Sequence, residues 1–136
     1  MEIRPAGSAP TRAGPPDYFV GKVWQDPVAE APEPGRLRAL LVTFAPGART
    51  NWHTHPLGQT LYVLTGAGLA QSENGPVRAI RAGDVVVFAP GEKHWHGAGP
   101  TTMMVHLAMQ EASDGVAVTW FEPVAEEDYS VTPPVR

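Results

Sequence analysis

Glycine and proline interrupt this chain at short intervals along its whole length. The 136 residues include 14 glycines and 15 prolines, and nearly every apolar segment meets one of them before a long helix could form. The runs between these interruptions are short and have the spacing expected of an all-β sandwich or barrel. We therefore predict an all-β fold with a single core, because a chain of this length is typical of one domain.

The predicted strands are short apolar or alternating runs between turn signals. They lie near residues 18–24, 37–44, 59–64, 68–72, 77–81, 84–88, 94–97, 102–110 and 116–121. Turns at 74–76 and 82–84 are each predicted to close a hairpin. Gly75 and Gly83 are expected to adopt the positive φ that other residues avoid.

The composition excludes several kinds of partner and chemistry. The net charge is −4, and no run of Lys or Arg marks a surface for nucleic acid or for an anionic membrane. The absence of cysteine leaves imidazole, carboxylate and amide groups as possible metal ligands. The charged, proline-containing start does not resemble a secretion signal, so we expect a cytoplasmic protein. Residues 1–16 are predicted to form a Pro-rich N-terminal arm, 17–122 a barrel, and 123–136 an acidic, Pro-rich tail.

The histidines are grouped in a way that indicates a metal site. They fall in three places: His53 with His55, His94 with His96, and His106 alone. A lone histidine is usually a hydrogen-bonded core or surface residue, but two H-x-H pairs in a chain otherwise poor in histidine favour metal binding. His53 and His55 would share one face of an extended segment. Gln59 can then reach the same ion, and His94 would complete the site.

Alternation along residues 102–110 separates two faces of one strand. One face is apolar and holds Met103, Val105, Leu107 and Met109, whereas the other is mixed and holds Met104, His106, Ala108 and Gln110. The apolar face needs a cover from a second sheet or a second subunit. The mixed face would either face solvent or line a polar pocket, and we favour the pocket. Alternation also points Trp52 and Trp95 away from the ligands beside them.

These residues resemble the metal-binding motifs of the cupins. The first cupin motif, G-x5-H-x-H-x3-E-x6-G, is matched by Gly47, His53, His55, Gln59 and Gly66. The second motif is matched more loosely, by Gly83, Pro90, Gly91 and His94. The resemblance implies a single jelly-roll β-barrel that carries a metal on three histidines and one Glu or Gln.

Gln59 stands where cupins usually have glutamate. A neutral amide leaves a bound divalent metal with more of its positive charge, which favours Lewis-acid chemistry over oxygen activation. The resulting expectation is a divalent transition metal that acts as a Lewis acid.

A closer resemblance links the chain to one subset of small bacterial cupins. The strings GARTNWHTHPLGQTLYV, PGEKHWHGAGPTT and HLAMQE are similar to the manganese-dependent hydroxynitrile lyases. This resemblance implies reversible cleavage of an aromatic cyanohydrin to an aldehyde and cyanide, in a homodimer or homotetramer. It also implies that the metal is Mn²⁺, with Fe²⁺, Zn²⁺ or Ni²⁺ as alternatives, and that the metal ligands are His53, His55, Gln59 and His94.

The chemistry of cyanohydrin cleavage indicates roles for residues around the metal. His106 or His96 would act as the base, and Lys93 or a protonated imidazole would stabilise departing cyanide. The substrate-binding residues would be Thr50, Gln110, Val42 and Leu40. Leu40 is larger than its counterpart in the subset and would crowd the pocket.

Two other functions are compatible with these residues. An iron-dependent cupin dioxygenase would use the general cupin site, although Gln59 and the additional pocket imidazoles argue against it. A non-catalytic cupin that binds a metal or a small ligand would need the same ligands but no base.

Overall fold

The computed structural model describes residues 1–134, and β-strands form nearly all of its regular structure. The strands are β1 (Arg12–Ala13), β2 (Phe19–Val20), β3 (Val23–Glu30), β4 (Leu37–Phe44), β5 (Arg49–Thr50), β6 (His53–Thr54), β7 (Gln59–Ser72), β8 (Arg78–Arg81), β9 (Val85–Phe88), β10 (His94–Ala98), β11 (Met104–Glu111) and β12 (Thr119–Trp120). A single helix in this part of the chain, α1, spans Glu126–Tyr129. The all-β prediction is confirmed. No described helix is long and apolar enough to cross a membrane.

The strands form one curled sheet in which β7 connects the two halves. The order is β1-β3-β4-β11-β7-β10-β5-β2, with β8 and β9 paired to β7 and with β6 between β10 and β12. The first part of β7 pairs with β9 and β11, and its second part pairs with β8 and β10. A long strand that changes partners along its length curls the sheet toward a barrel.

The sequence predicted two strands where the structure has the continuous β7. Gly66, between the two predicted strands, has φ of 80°. A Cβ atom there would lie 1.9 Å from the carbonyl oxygen of Met103 on the neighbouring segment. Glycine therefore bends the strand at a close backbone approach without ending it.

The two predicted turns exist, but each differs from its prediction. In the first, Asn74 rather than Gly75 has the positive φ, 64°, which asparagine tolerates better than most residues. This turn connects the antiparallel pair β7 and β8 as expected. Gly83 has the predicted positive φ, 93°, but the turn at 82–84 closes no hairpin. Both β8 and β9 pair with β7, so this turn is a corner between the two halves of the sheet.

The two faces of β11 differ as alternation predicted. His106 is fully buried inside the barrel with Met104 and Ala108, so this part of the mixed face does not face solvent. The outer face is only half-buried, and Met103 beside it is 42% exposed. The second half of the sheet does not provide the cover we considered for this face. The predicted homodimer or homotetramer stays a prediction, which sedimentation velocity would test.

Two apolar clusters hold the fold together. The larger fills the barrel around Phe44, Leu61 and Met104. The smaller consists of Trp52, Leu69, Val77, Trp95, Val124 and Tyr129. The positions of Trp52 and Trp95 in this separate cluster confirm that both rings point away from the neighbouring ligand candidates. The smaller cluster therefore packs against the outer side of β10, whereas the histidines of β10 face the barrel interior.

Candidate metal centre

The predicted metal ligands come together inside the barrel. His53 on β6 lies opposite His94 on β10 in the sheet register, and their ring centroids are 4.3 Å apart. The ring of His55, which follows β6, lies 5.0 Å from that of His53. Gln59 begins β7, and its Oε1 lies 3.2 Å from Nε2 of His94. All four side chains are buried.

The three predicted ligand histidines share one hydrogen-bonding pattern. In each ring, Nδ1 donates to a backbone carbonyl. The bonds run from His53 to Asn51 (2.9 Å), from His55 to Ala117 (2.7 Å) and from His94 to Glu92 (2.8 Å). Because a carbonyl oxygen can only accept, Nδ1 carries the proton and Nε2 retains its lone pair. Metal-ligating histidines commonly have this arrangement, which fixes both the tautomer and the ring orientation.

The atoms that remain fit a bound cation. Nε2 of His55 is buried and has no hydrogen-bond partner among the described residues. Nε2 of His94 and Oε1 of Gln59 both present lone pairs to each other across 3.2 Å. Such an arrangement is unfavourable unless a positive charge attracts both atoms. Imidazole nitrogens with an amide oxygen are donors that a divalent transition metal accepts.

Burial keeps these imidazoles neutral. It lowers the pKa of His53 well below the ordinary value, and the neighbouring His94 and His55 lower it further. Burial likewise lowers the pKa of His55 and lowers that of His94 to about 4. Because a protonated imidazole cannot bind a metal, these lowered pKa values keep the lone pairs available near neutral pH.

His96 and His106 form a hydrogen-bonded pair beside the ligands. Nε2 of His106 lies 3.0 Å from Nδ1 of His96. Burial lowers the pKa of His96 well below its ordinary value, with a further contribution from His106, and lowers the pKa of His106 to about 4. Within the described residues, Nε2 of His96 and Nδ1 of His106 have no partner. Because one neutral ring donates to the other, one of these two free nitrogens carries a proton and the other has a lone pair that can accept one.

The geometry permits a second choice of three histidines. Possible ligand atoms of His53, His94 and His96 all lie within 4.8 Å of one another, and this group does not include His55. Hydrogen bonding distinguishes the two sets, because His55 has the Nδ1-to-carbonyl bond of the other ligand candidates, whereas Nδ1 of His96 contacts another imidazole. A carbonyl acceptor fixes the proton of His55 on Nδ1, whereas the contact with His106 does not fix the tautomer of His96, so hydrogen bonding favours His53, His55 and His94 as the ligands.

Two predicted substrate-binding residues, Thr50 and Gln110, form hydrogen bonds with residues of the site. Oγ1 of Thr50 accepts a hydrogen bond of 3.2 Å from the backbone N–H of His96. This bond leaves the hydroxyl hydrogen of Thr50 free to donate. Oε1 of Gln110 accepts a hydrogen bond of 3.1 Å from Nε2 of Gln59.

The other two predicted substrate-binding residues, Val42 and Leu40, lie on β4. Val42 is buried in the barrel core opposite His106 in the sheet register, and Leu40 packs against the same core. An apolar wall therefore faces the imidazole pair. The crowding of the pocket by Leu40 stays a prediction.

A shallow pocket of about 310 Å³ reaches the site near Gln59 and Gln110. Its apolar lining consists of Leu37, Leu57, Val87, Phe88, Ala89, Pro90 and Met109. A larger groove of about 820 Å³ lies along β8 and β9 but includes none of the predicted site residues. Of these two pockets, the smaller is the one lined by predicted site residues, Gln59 and Gln110.

The structure does not bring Lys93 to the histidine cluster. Its Nζ forms ion pairs with Glu122 (2.8 Å) and Glu73 (3.2 Å), and it lies 5.0 Å from the ring centre of Phe121. Neighbouring residues of an extended segment point to opposite sides, so Lys93 leaves the chain away from His94. Proximity in sequence to a ligand was a misleading signal here.

Sequence reasoning missed several groups that hold the ligands. The ring of Phe88 stacks on His94 with centroids 3.6 Å apart, and Trp120 lies 4.7 Å from His53. The carbonyl of Ala117, which accepts from His55, comes from a distant loop and has no signal in the sequence. The carbonyl partners of His53 and His94 each lie two residues before the histidine, a local pattern that could have been found.

We expect the metal-free protein to lose stability in acid. Unfolded histidines bind protons near pH 6.5, whereas buried His106 does so only near pH 4. Because the folded pKa is the lower one, destabilisation begins as the pH falls through the unfolded value and grows until the folded value is reached. At about pH 5, His106 alone should lower the free energy of unfolding by about 2 kcal/mol. Urea unfolding in a chelator should show a lower midpoint there than at neutral pH, and equal midpoints would contradict the expectation.

The curled β-sheet with a histidine cluster inside it defines the class of this protein. A model of the Cupin domain matches residues 40–109, which is about half of the chain, and the protein belongs to the cupin family. The chain is 58% identical over 129 residues to an (R)-mandelonitrile lyase of Granulicella tundricola, covering 95% of this chain and 98% of that relative.

Solved structures show the same fold. A cupin-like protein from Thermotoga maritima has a TM-score of 0.82 at 36% identity and is covered, like this chain, over 95% of its length. A Cupin 2 conserved barrel domain protein from Salinispora arenicola has a TM-score of 0.61 at 26% identity, covering 80% of this chain and 87% of that one. The relatedness thus extends well beyond the residues of the metal motifs.

Proposed function

We propose that this protein is a metal-dependent hydroxynitrile lyase, which cleaves an aromatic cyanohydrin reversibly to an aldehyde and cyanide. The observation that carries the proposal is a donor set without acidic ligands beside a pair of neutral imidazoles. The 58% identity to an (R)-mandelonitrile lyase over nearly the whole chain supports the same reaction.

We assign the metal to His53, His55, Gln59 and His94, and we expect it to be Mn²⁺, with Fe²⁺, Zn²⁺ and Ni²⁺ as alternatives. All four donors are neutral near pH 7, so a bound divalent ion would act as a Lewis acid toward the substrate hydroxyl. The same neutrality disfavours the higher oxidation states that oxygen activation requires. It is therefore an argument against the dioxygenase alternative.

The paired imidazoles supply the acid and base. In the cleavage direction, His96 or His106 accepts the hydroxyl proton of the cyanohydrin. The oxygen then forms the aldehyde C=O bond, the bond to the nitrile carbon breaks, and cyanide leaves with that electron pair. The protonated imidazole returns its proton to cyanide. The hydrogen bond between the two rings allows the charge to be shared during the transfer.

The remaining pocket residues orient and enclose the substrate. The free hydroxyl hydrogen of Thr50 and the amide of Gln110 offer polar contacts. Val42 and Leu40 present an apolar wall for the aromatic ring, and Leu40 limits the size of ring that fits. The burial of the site excludes bulk water from the reacting groups.

The direct test is stereoselective cyanohydrin synthesis. Mn²⁺-loaded protein is incubated with benzaldehyde and cyanide at acidic pH, where the uncatalysed addition is slow. We expect mandelonitrile with an enantiomeric excess, and a racemic product formed at the background rate would contradict the proposal. Oxygen consumption with Fe²⁺ and a phenolic or diketone substrate would favour the dioxygenase instead. Metal binding without either activity would favour the binding module.

A further inference from the structure

An amide that binds a metal has a problem of orientation that a carboxylate does not have. The oxygen of Gln59 can bind a cation, but its NH₂ group is a donor and cannot. Rotation of the amide by half a turn exchanges the two. A glutamate at the same position would present an oxygen in either orientation. A cupin with glutamine in this place therefore needs a neighbour that selects the correct orientation.

The surroundings of His94 favour the wrong orientation when no metal is bound. Nδ1 of His94 donates to the carbonyl of Glu92, so Nε2 can only accept. In the structure, Nε2 faces Oε1 of Gln59 at 3.2 Å, which places two acceptors together. A rotated Gln59 would instead donate from its NH₂ group to Nε2 of His94. This hydrogen bond would occupy a metal-binding lone pair.

Gln110 lies where it opposes this rotation. Its Oε1 accepts the hydrogen bond from Nε2 of Gln59 at 3.1 Å. The two glutamines are direct cross-strand partners in the register of β11 and β7. Side chains that face each other across neighbouring strands interact without any contribution from a mobile loop. Sheet register therefore holds the amide of Gln110 next to the NH₂ group of Gln59, and the atom that Gln110 presents there is its acceptor oxygen.

We propose that Gln110 is a positioning residue of the metal centre. Its carbonyl oxygen satisfies the NH₂ group of Gln59 and turns Oε1 of Gln59 toward the histidines. This role is additional to the substrate contact predicted for Gln110, and it rests on the proposed assignment of Gln59 as a ligand. It does not depend on which reaction the metal centre catalyses.

The test replaces the acceptor and measures metal affinity. Protein stripped with a chelator is titrated with Mn²⁺, and free Mn²⁺ is followed by electron paramagnetic resonance. Gln110→Met keeps the length of the side chain but removes the acceptor, and we expect Mn²⁺ to bind about 3- to 10-fold more weakly. In a Gln59→Glu background, the same replacement should weaken binding by about twofold or less, because no orientation has to be selected.

A matched control separates positioning from general stability. Gln71→Met also removes an amide, one that accepts a hydrogen bond of 2.8 Å from the indole of Trp95. We expect this variant to lose thermal stability but to keep the Mn²⁺ affinity of the unaltered protein. Equal weakening by Gln110→Met in both backgrounds, or no weakening in either, would overturn the inference. Failure of the unaltered protein to bind Mn²⁺, Fe²⁺, Zn²⁺ or Ni²⁺ would instead contradict the metal centre itself, and with it the proposed function.

Discussion

Replacement of His55 by alanine is expected to remove the metal, whereas replacement of His96 is expected to leave it bound. His55 has a buried, unpartnered Nε2 and an Nδ1 bonded to the carbonyl of Ala117. Loss of such a donor should weaken Mn²⁺ binding by more than about 100-fold, since loss of an outer contact alone costs about 10- to 100-fold. Metal analysis after dialysis of the loaded variants measures the difference.

The comparison works because the two histidines are similar in burial and in distance from His53. Both are nearly inaccessible, and their ring centroids lie 5.0 and 5.2 Å from that of His53. Hydrogen bonding is what distinguishes them. Retention of metal by His55→Ala together with loss by His96→Ala would show that the ligands are the His53, His94 and His96 group. Both variants should have little lyase activity, so activity alone cannot separate the two assignments.

The second large effect concerns the hydrogen-bonded imidazole pair. His96→Ala and His106→Asn should each lower kcat by about 10²- to 10⁴-fold, which is the usual contribution of general acid–base catalysis. If the two rings act as one unit, the double variant should be hardly slower than the slower single variant. The measurement is kcat for mandelonitrile cleavage by the Mn²⁺-loaded proteins, with the metal content determined for each.

Additivity would count against a shared role for the pair. If kcat of the double variant fell by the product of the two single-variant decreases, the rings would act independently. The 3.0 Å contact between them would then be only structural. Asparagine is chosen at position 106 because alanine would leave a cavity in the core beside Phe44 and destabilise the barrel. A thermal melt of each variant shows whether the folded state is retained.

Much of the fold could be predicted from the alternation of apolar and polar residues and from the positions of turn residues such as glycine and proline. The predicted strands at 37–44 and 84–88 agree closely with β4 and β9, because their patterns and flanking turn residues point to the same boundaries. The division of β7 was wrong, since a glycine can bend a strand as well as end it. Only the close approach of the Met103 backbone shows that Gly66 bends the strand and does not end it.

The candidate site was predictable in its residue types but not in its detailed contacts. The two H-x-H pairs and Gln59 identified a cluster because residues two apart on a strand share a face. Alternation applied to Lys93 would have excluded it, as it correctly excluded Trp52. The link from His55 to Ala117 and the pairing of Gln59 with Gln110 depend on sheet register and loop paths. A single sequence does not contain that information.

The central claim is that one metal binds to His53, His55, Gln59 and His94. Anomalous diffraction at the manganese edge, from crystals of the Mn²⁺-loaded protein, tests it most directly. We predict one peak inside the barrel, within bonding distance of Nε2 of the three histidines and Oε1 of Gln59. A peak bonded to Nε2 of His96 but not to His55, or no peak among the histidines, would contradict the claim.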